Sequence, residues 1–82
     1  MSTVTITNTQ WNQLNVQVRT GNNPIAENNT TVAHDGPMTP FQPYSFTFDV
    51  LLFYRRDKNP DAPDGTYSKW ITCFSDDTIT NP

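Results

Sequence analysis

The segment spanning residues 57–65 holds the densest set of oxygen ligands in the sequence. Carboxylate and amide oxygens recur there at Asp57, Asn59, Asp61 and Asp64. Calcium loops place hard oxygen ligands at similar intervals in a turn, but the EF-hand loop also needs glycine at its sixth position and glutamate at its twelfth. Ala62 and Ser68 occupy those positions. Because Asp and Asn also stabilise ordinary turns, we predict a solvated turn with no bound metal.

Nucleophilic catalysis has few candidate residues, since the chain has one cysteine, Cys73, and one histidine, His34. A working pair must lie within hydrogen-bond reach, which the spacing does not predict. The same two residues are too few for a zinc site. The neighbouring carboxylates Asp76 and Asp77 stand in a segment that looks exposed, without the burial that tunes a general acid. We therefore predict a protein that is not an enzyme and needs no cofactor.

Aromatic and amide side chains near turns favour sugar recognition, because rings stack on a pyranose while amides bond its hydroxyls. Trp70 stands in mid-strand and is expected in the core, whereas the connection around Trp11 favours exposure. The predicted ligand-binding residues are Trp11, Tyr67, Asn22 and Asn23.

Arg55 and Arg56 follow two aromatic residues, an arrangement that stacking platforms for single-stranded nucleic acid also use. The net charge of −3 opposes binding to phosphate backbones. Ion pairs between these arginines and Asp57, Asp61 or Asp64 are the favoured interpretation, so no nucleic-acid partner is expected.

The length of 82 residues fits one domain covering residues 1–82, and a chain of this size buries only about 60 to 65% of its unfolded surface. Apolar residues make up 34% and aromatic residues 12%, so large rings must supply much of the core. A single cysteine excludes an intramolecular disulfide.

Alternation of apolar and polar residues indicates strands, and no window shows helical spacing. Loops rich in Pro, Asn, Asp and Gly separate them, at 20–29, 34–43 and 57–65. The predicted fold is all-β, a small antiparallel β-sandwich or barrel of about six short strands. These strands lie near residues 3–7, 14–19, 30–33, 44–48, 50–54 and 67–74.

A tetrapeptide recurs in the chain, since residues 5–8 and 78–81 both have the sequence Thr-Ile-Thr-Asn. Four residues are too few to establish a structural repeat. We attribute the recurrence to chance.

The strand at residues 50–54 is predicted to be apolar on both faces, because Leu51 and Phe53 point one way while Val50, Leu52 and Tyr54 point the other. A two-layer domain has no third layer with which to cover a second apolar face. The sequence therefore predicts a homo-oligomer with an interface that includes Leu51, Phe53 and Arg55.

The first ten residues lack the basic start and the apolar stretch of a signal peptide, and no segment is long enough to span a bilayer. We expect no membrane insertion, and a chain that is cytoplasmic, particle-borne or secreted without a signal peptide.

These patterns favour a non-enzymatic interaction module that associates with itself and binds a carbohydrate or protein ligand. A lectin-like carbohydrate site formed by exposed aromatic residues is its most concrete form. The alternative is a structural subunit of a larger particle or fibre.

Overall fold

The computed structural model describes residues 1–22 and 30–82, which form seven β-strands and no helix. No helix in these two ranges is therefore long and apolar enough to cross a membrane. The strands are β1 (Ser2–Thr7), β2 (Asn15–Gly21), β3 (Thr31–Pro37), β4 (Tyr44–Phe48), β5 (Leu51–Arg56), β6 (Ile71–Cys73) and β7 (Asp77–Thr80).

The strands form two sheets, one of three strands in the order β4-β1-β7 and one of four in the order β3-β2-β5-β6. All pairs in the larger sheet are antiparallel. In the smaller sheet β1 runs antiparallel to β4 and parallel to β7. The all-β sandwich predicted from the alternation is confirmed, with one parallel pair that the sequence did not predict.

The core lies between the two sheets and is built by period-two alternation. Val4 and Ile6 of β1 and Val16 and Val18 of β2 are fully buried, while the threonines and polar residues between them are not. Alternate side chains of a strand point to opposite faces, so each strand presents its apolar set to the other sheet. The remaining buried core residues are Leu14, Met38, Phe48, Leu52, Tyr54 and Cys73.

Two strands, β3 and β6, differ clearly from their predicted extent. Strand β3 continues to Pro37 rather than stopping at residue 33, with a register shift opposite Val18 and Arg19. Because β3 is an edge strand, it tolerates a proline that a central ladder would exclude. Strand β6 is limited to three residues, and Tyr67 forms only an isolated bridge to Asp57.

Strand β7 was not predicted, since Ile79 is the only aliphatic residue among its four. It places the recurring tetrapeptides side by side, with Ile6 opposite Ile79 in the parallel ladder. The asparagine at the end of each copy accepts a hydrogen bond from the segment that follows β1. Asn8 Oδ1 accepts a 3.0 Å hydrogen bond from the Trp11 amide, and Asn81 Oδ1 accepts one of 2.7 Å from the Thr9 amide.

Candidate functional site

The outer face of the four-stranded sheet carries the most concentrated group of polar and aromatic side chains. Residues that alternate with the buried positions of β2 and β5 point away from the core. Across these strands Gln17 lies opposite Arg55, and Arg19 lies opposite Phe53. With the rings of two further residues, they form a surface that we call the arginine platform. Its members are Gln17, Arg19, Phe53, Arg55, Tyr67 and Trp70.

The guanidinium group of Arg55 is at the centre of this platform. Its Cζ atom lies 4.3 Å from the ring centroid of Trp70 and 4.8 Å from that of Tyr67. Its Nε donates a 2.7 Å hydrogen bond to Oε1 of Gln17. Such cation–π contacts contribute about 0.5 to 1 kcal/mol each at exposed sites, so the side chain is held by several modest interactions. Its two terminal nitrogens bond no residue in the described ranges.

Trp70 lies over Phe53 rather than in the core between the sheets. The two rings meet edge to face, with centroids 5.1 Å apart and planes at 80°. The Cζ atom of Arg19 lies 6.0 Å from the Trp70 centroid. The expectation that Trp70 is a core residue is therefore wrong. Period-two counting from the buried Cys73 places Trp70 on the opposite face, a signal in the sequence that identifies its position.

The predicted interface residues are covered within the chain. Leu51 is 1% exposed and Phe53 is 4% exposed, while Arg55 is half-buried. The two apolar side chains do not form an open face, and that reason for expecting association through them does not hold. Exposed apolar side chains occur instead beside the edge strand β6, where Ile71 is 51% exposed and Phe74 is 67% exposed. Self-association stays a prediction.

The four predicted ligand-binding residues are not all in one place. Trp11 is half-buried and packs against the core between the sheets, whereas Tyr67 lies on the outer platform. Asn22 is exposed just after β2. Asn23 lies outside the described residues. The structure therefore joins Tyr67 to Arg55 and Trp70, a grouping that reasoning from the sequence did not make.

The acidic residues of the loop at 57–65 accept hydrogen bonds from backbone amides, both within the loop and outside it. The buried carboxylate of Asp57 accepts hydrogen bonds of 2.8 Å from the Asn59 amide and 2.9 Å from the Gly65 amide. Asp61 accepts one of 2.8 Å from the Gln13 amide, which ties the loop to the start of β2. These bonds give Asp57 and Asp61 a role in shaping the turn.

Asp64 completes the same pattern at the end of the loop. Its carboxylate accepts hydrogen bonds from the Thr66 amide at 2.9 Å and from Asn59 Nδ2 at 2.6 Å. The Thr66 amide is the main reason that the pKa of Asp64 is lowered from its ordinary value. Among the residues that the structure describes, no group of three or more His, Cys, Asp or Glu side chains is arranged to hold a metal ion.

The two candidate nucleophilic residues, Cys73 and His34, both pack against other side chains of the fold. Burial raises the pKa of the buried Cys73 thiol, and the nearby charge of Asp77 raises it further. The thiol therefore stays protonated at neutral pH, where it is a poor nucleophile. His34 lies edge-on to the rings of Tyr44 and Phe46, with centroids 5.4 Å and 6.1 Å away.

The platform and its margin also carry both hydrogen-bond donors and hydrogen-bond acceptors. Burial raises the pKa of the Tyr67 phenol, with further upward contributions from Asp35 and Asp57 and an opposing one from Arg55. The phenol is therefore neutral at physiological pH and keeps its donor proton. Gln17 Nε2 donates a 3.2 Å hydrogen bond to the Asp35 carboxylate, which lies at the margin of the platform.

No protein-family model, curated protein or solved structure matches this chain. The described residues enclose no pocket, so the platform is an open surface. Its function must be argued from the chemistry of the groups that it presents.

Proposed function

We propose that this protein is a non-enzymatic binding module that recognises carbohydrate through the arginine platform. The observation that supports the proposal is the position of Arg55, which contacts both the Tyr67 and the Trp70 ring while its terminal nitrogens bond no described residue. A guanidinium held in this way offers oriented donors at little further entropic cost.

The other groups of the platform complement a sugar. The Tyr67 and Trp70 rings offer apolar surface for the C–H faces of a pyranose, and the neutral Tyr67 phenol offers a donor and an acceptor for its hydroxyls. The Asp35 carboxylate accepts hydroxyl protons at the margin. An open surface accommodates several units of an extended glycan, whereas a small isolated ligand is bound best in a concave site.

One predicted ligand residue, Tyr67, keeps its role in this proposal because it belongs to the platform. Asn22 is exposed just after β2 and is not a member of the platform. Trp70 takes the place of Trp11, because Trp11 packs against the core between the sheets.

The alternative function, a structural subunit of a particle or fibre, is supported by the edge of the larger sheet. Strand β6 forms that edge, and the exposed side chains of Ile71 and Phe74 accompany it. An exposed apolar strand edge is a surface on which a second chain can pair. Self-association through this edge leaves the platform open, so both functions can belong to one assembly.

A glycan array tests the carbohydrate proposal directly. We expect the wild type to bind a defined set of glycans, and Tyr67→Ala to reduce binding at least tenfold while the protein stays folded by circular dichroism. Phe41→Ala is the matched control, since it removes a ring that is 73% exposed and lies outside the platform. An array without any specific signal for the wild type overturns the proposal.

A further inference from the structure

We infer that the ligand of the arginine platform is an acidic sugar, whose carboxylate is bound by the two terminal nitrogens of Arg55. This inference rests on the proposed function and specifies its substrate class. A uronic acid within a glycan chain is the simplest ligand of this chemistry.

The first argument is the way in which Arg55 is held. A guanidinium group has five N–H donors in its plane, and stacking on rings occupies its faces rather than these donors. The Cζ atom lies 4.8 Å and 4.3 Å from the Tyr67 and Trp70 ring centroids, contacts that use none of the N–H donors in a hydrogen bond, and Gln17 takes only the Nε–H donor. The four N–H donors of the terminal nitrogens bond no described residue, and their fork matches the two oxygens of a carboxylate.

The second argument is the missing counter-charge. The chain has eight acidic and five basic residues, and the sequence predicted that acids of the loop at 57–65 pair with Arg55. Within the described residues those acids bond amide groups instead, and no carboxylate forms an ion pair with Arg55. Asp35 reaches Arg55 only through Gln17.

The third argument is the second guanidinium beside the same ring. Arg19 Cζ lies 6.0 Å from the Trp70 centroid, and its Nη1 donates a 3.3 Å hydrogen bond to Thr30 Oγ1. Trp70 therefore has two cations near it, and with a neutral sugar neither cation has an anionic partner among the described residues. A carboxylate on the ligand supplies that partner locally, even though the net charge of the chain is −3.

Calorimetry with matched ligands tests the inference. The ligands are an oligogalacturonate, the neutral oligogalactoside of the same length and linkage, and acetate. We expect the oligogalacturonate to bind at least tenfold more tightly than the neutral chain, and acetate to bind more weakly than both. Raising the salt concentration should weaken the binding of the acidic sugar.

Variants assign the effect to Arg55. Arg55→Gln should abolish the preference for the acidic chain, and Arg55→Lys should restore only part of it, because an ammonium group keeps the charge but lacks the fork. Lys69→Gln is the matched control, since it removes one positive charge from an exposed neighbour of Trp70. The control should keep the wild-type preference.

If Arg55→Gln fails to fold, side-chain NMR of the wild type tests the same contact without a substitution. In the wild type, the guanidinium signals of Arg55 should shift on titration with oligogalacturonate and stay unchanged with the neutral chain. Equal affinity for the two chains overturns the acidic-sugar inference and leaves the carbohydrate proposal standing. Acetate binding as tight as that of the oligogalacturonate also overturns the inference, and the absence of any saccharide binding overturns both.

Discussion

Gln17 and Arg55 lie directly opposite each other on β2 and β5 and share a 2.7 Å hydrogen bond from Arg55 Nε to Gln17 Oε1. Gln17 also donates to the Asp35 carboxylate at 3.2 Å. The amide thus separates an acid from a guanidinium, and it fixes the guanidinium without neutralising it.

Gln17→Glu tests the importance of this neutral amide. The new carboxylate should pair with Arg55 and compete with an anionic ligand, so affinity for the acidic sugar should fall about tenfold or more. Stability should change by no more than about 1 kcal/mol, as for other partly exposed ion pairs. Calorimetry and thermal unfolding measure the two effects, with Gln42→Glu as the control at an exposed site outside the platform. Unchanged affinity in Gln17→Glu contradicts the proposed role of Arg55.

The cover provided by Trp70 predicts that Phe53 contributes strongly to stability. Phe53→Ala should lower the free energy of unfolding by about 3 to 5 kcal/mol, because the ring is 4% exposed and its removal leaves a cavity. Phe74→Ala, at a ring that is 67% exposed, should change it by less than about 0.5 kcal/mol. Urea denaturation compares the two, and similar costs contradict the placement of Phe53 beneath Trp70.

Self-association should depend on the β6 edge. We expect the wild type to be a homo-oligomer at micromolar concentration, and the double change Ile71→Ser with Phe74→Ser to give a folded monomer. Val32→Ser is the control, since Val32 is 53% exposed on β3, the opposite edge of the same sheet. Light scattering gives the masses. A wild type that is monomeric at high concentration contradicts the prediction. A monomer produced by Val32→Ser would show that the interface lies at β3 instead.

The loop at 57–65 should be stabilised by Asp57 rather than by a metal. Asp57→Ala leaves two amide groups without their acceptor and should cost about 2 to 6 kcal/mol in unfolding free energy. Lys58→Ala, at an exposed neighbouring position, should cost little. Added calcium should leave the melting temperature unchanged. A calcium-dependent rise of several degrees that Asp61→Ala abolishes would show that the loop binds the ion.

Alkaline pH should destabilise the fold through its buried phenol. Burial raises the pKa of Tyr54, with smaller contributions from Cys73 and Asp77, so the folded state holds the phenolic proton more tightly than the unfolded chain does. The contribution of Tyr54 to stability is therefore unchanged below the ordinary tyrosine pKa of about 10 and is lost as the pH rises beyond it.

Urea denaturation between pH 8 and 11 measures this loss. Tyr54→Phe should flatten the decline. Tyr44→Phe should steepen it, because the Thr39 side chain and, to a smaller extent, the hydrogen bond from the Thr39 amide lower the pKa of Tyr44, so that its ionisation favours the folded state. Parallel profiles for the wild type and Tyr54→Phe contradict the assignment.

The strands of the core could be predicted because their signal is local. In β1 and β2 the aliphatic residues alternate with polar ones, at Val4 and Ile6 and at Val16 and Val18, and backbone geometry alone sends those side chains to one face. The loop at 57–65 was equally visible, since Asp and Asn bond nearby amide groups. Strand β7 was missed because Ile79 alone gives no alternation to detect.

The amino-acid sequence by itself determined the fold class, the buried faces of the central strands and the turn-forming role of the acidic loop, because these depend on neighbours in the chain. Only the tertiary structure decided that Trp70 covers Phe53, and that Arg55 contacts the Tyr67 and Trp70 rings rather than forming an ion pair with an aspartate of the described residues. These contacts join different strands and loops, and their geometry follows from register and from competition among partners. Period-two patterns say which face a side chain occupies, but not which side chain meets it there.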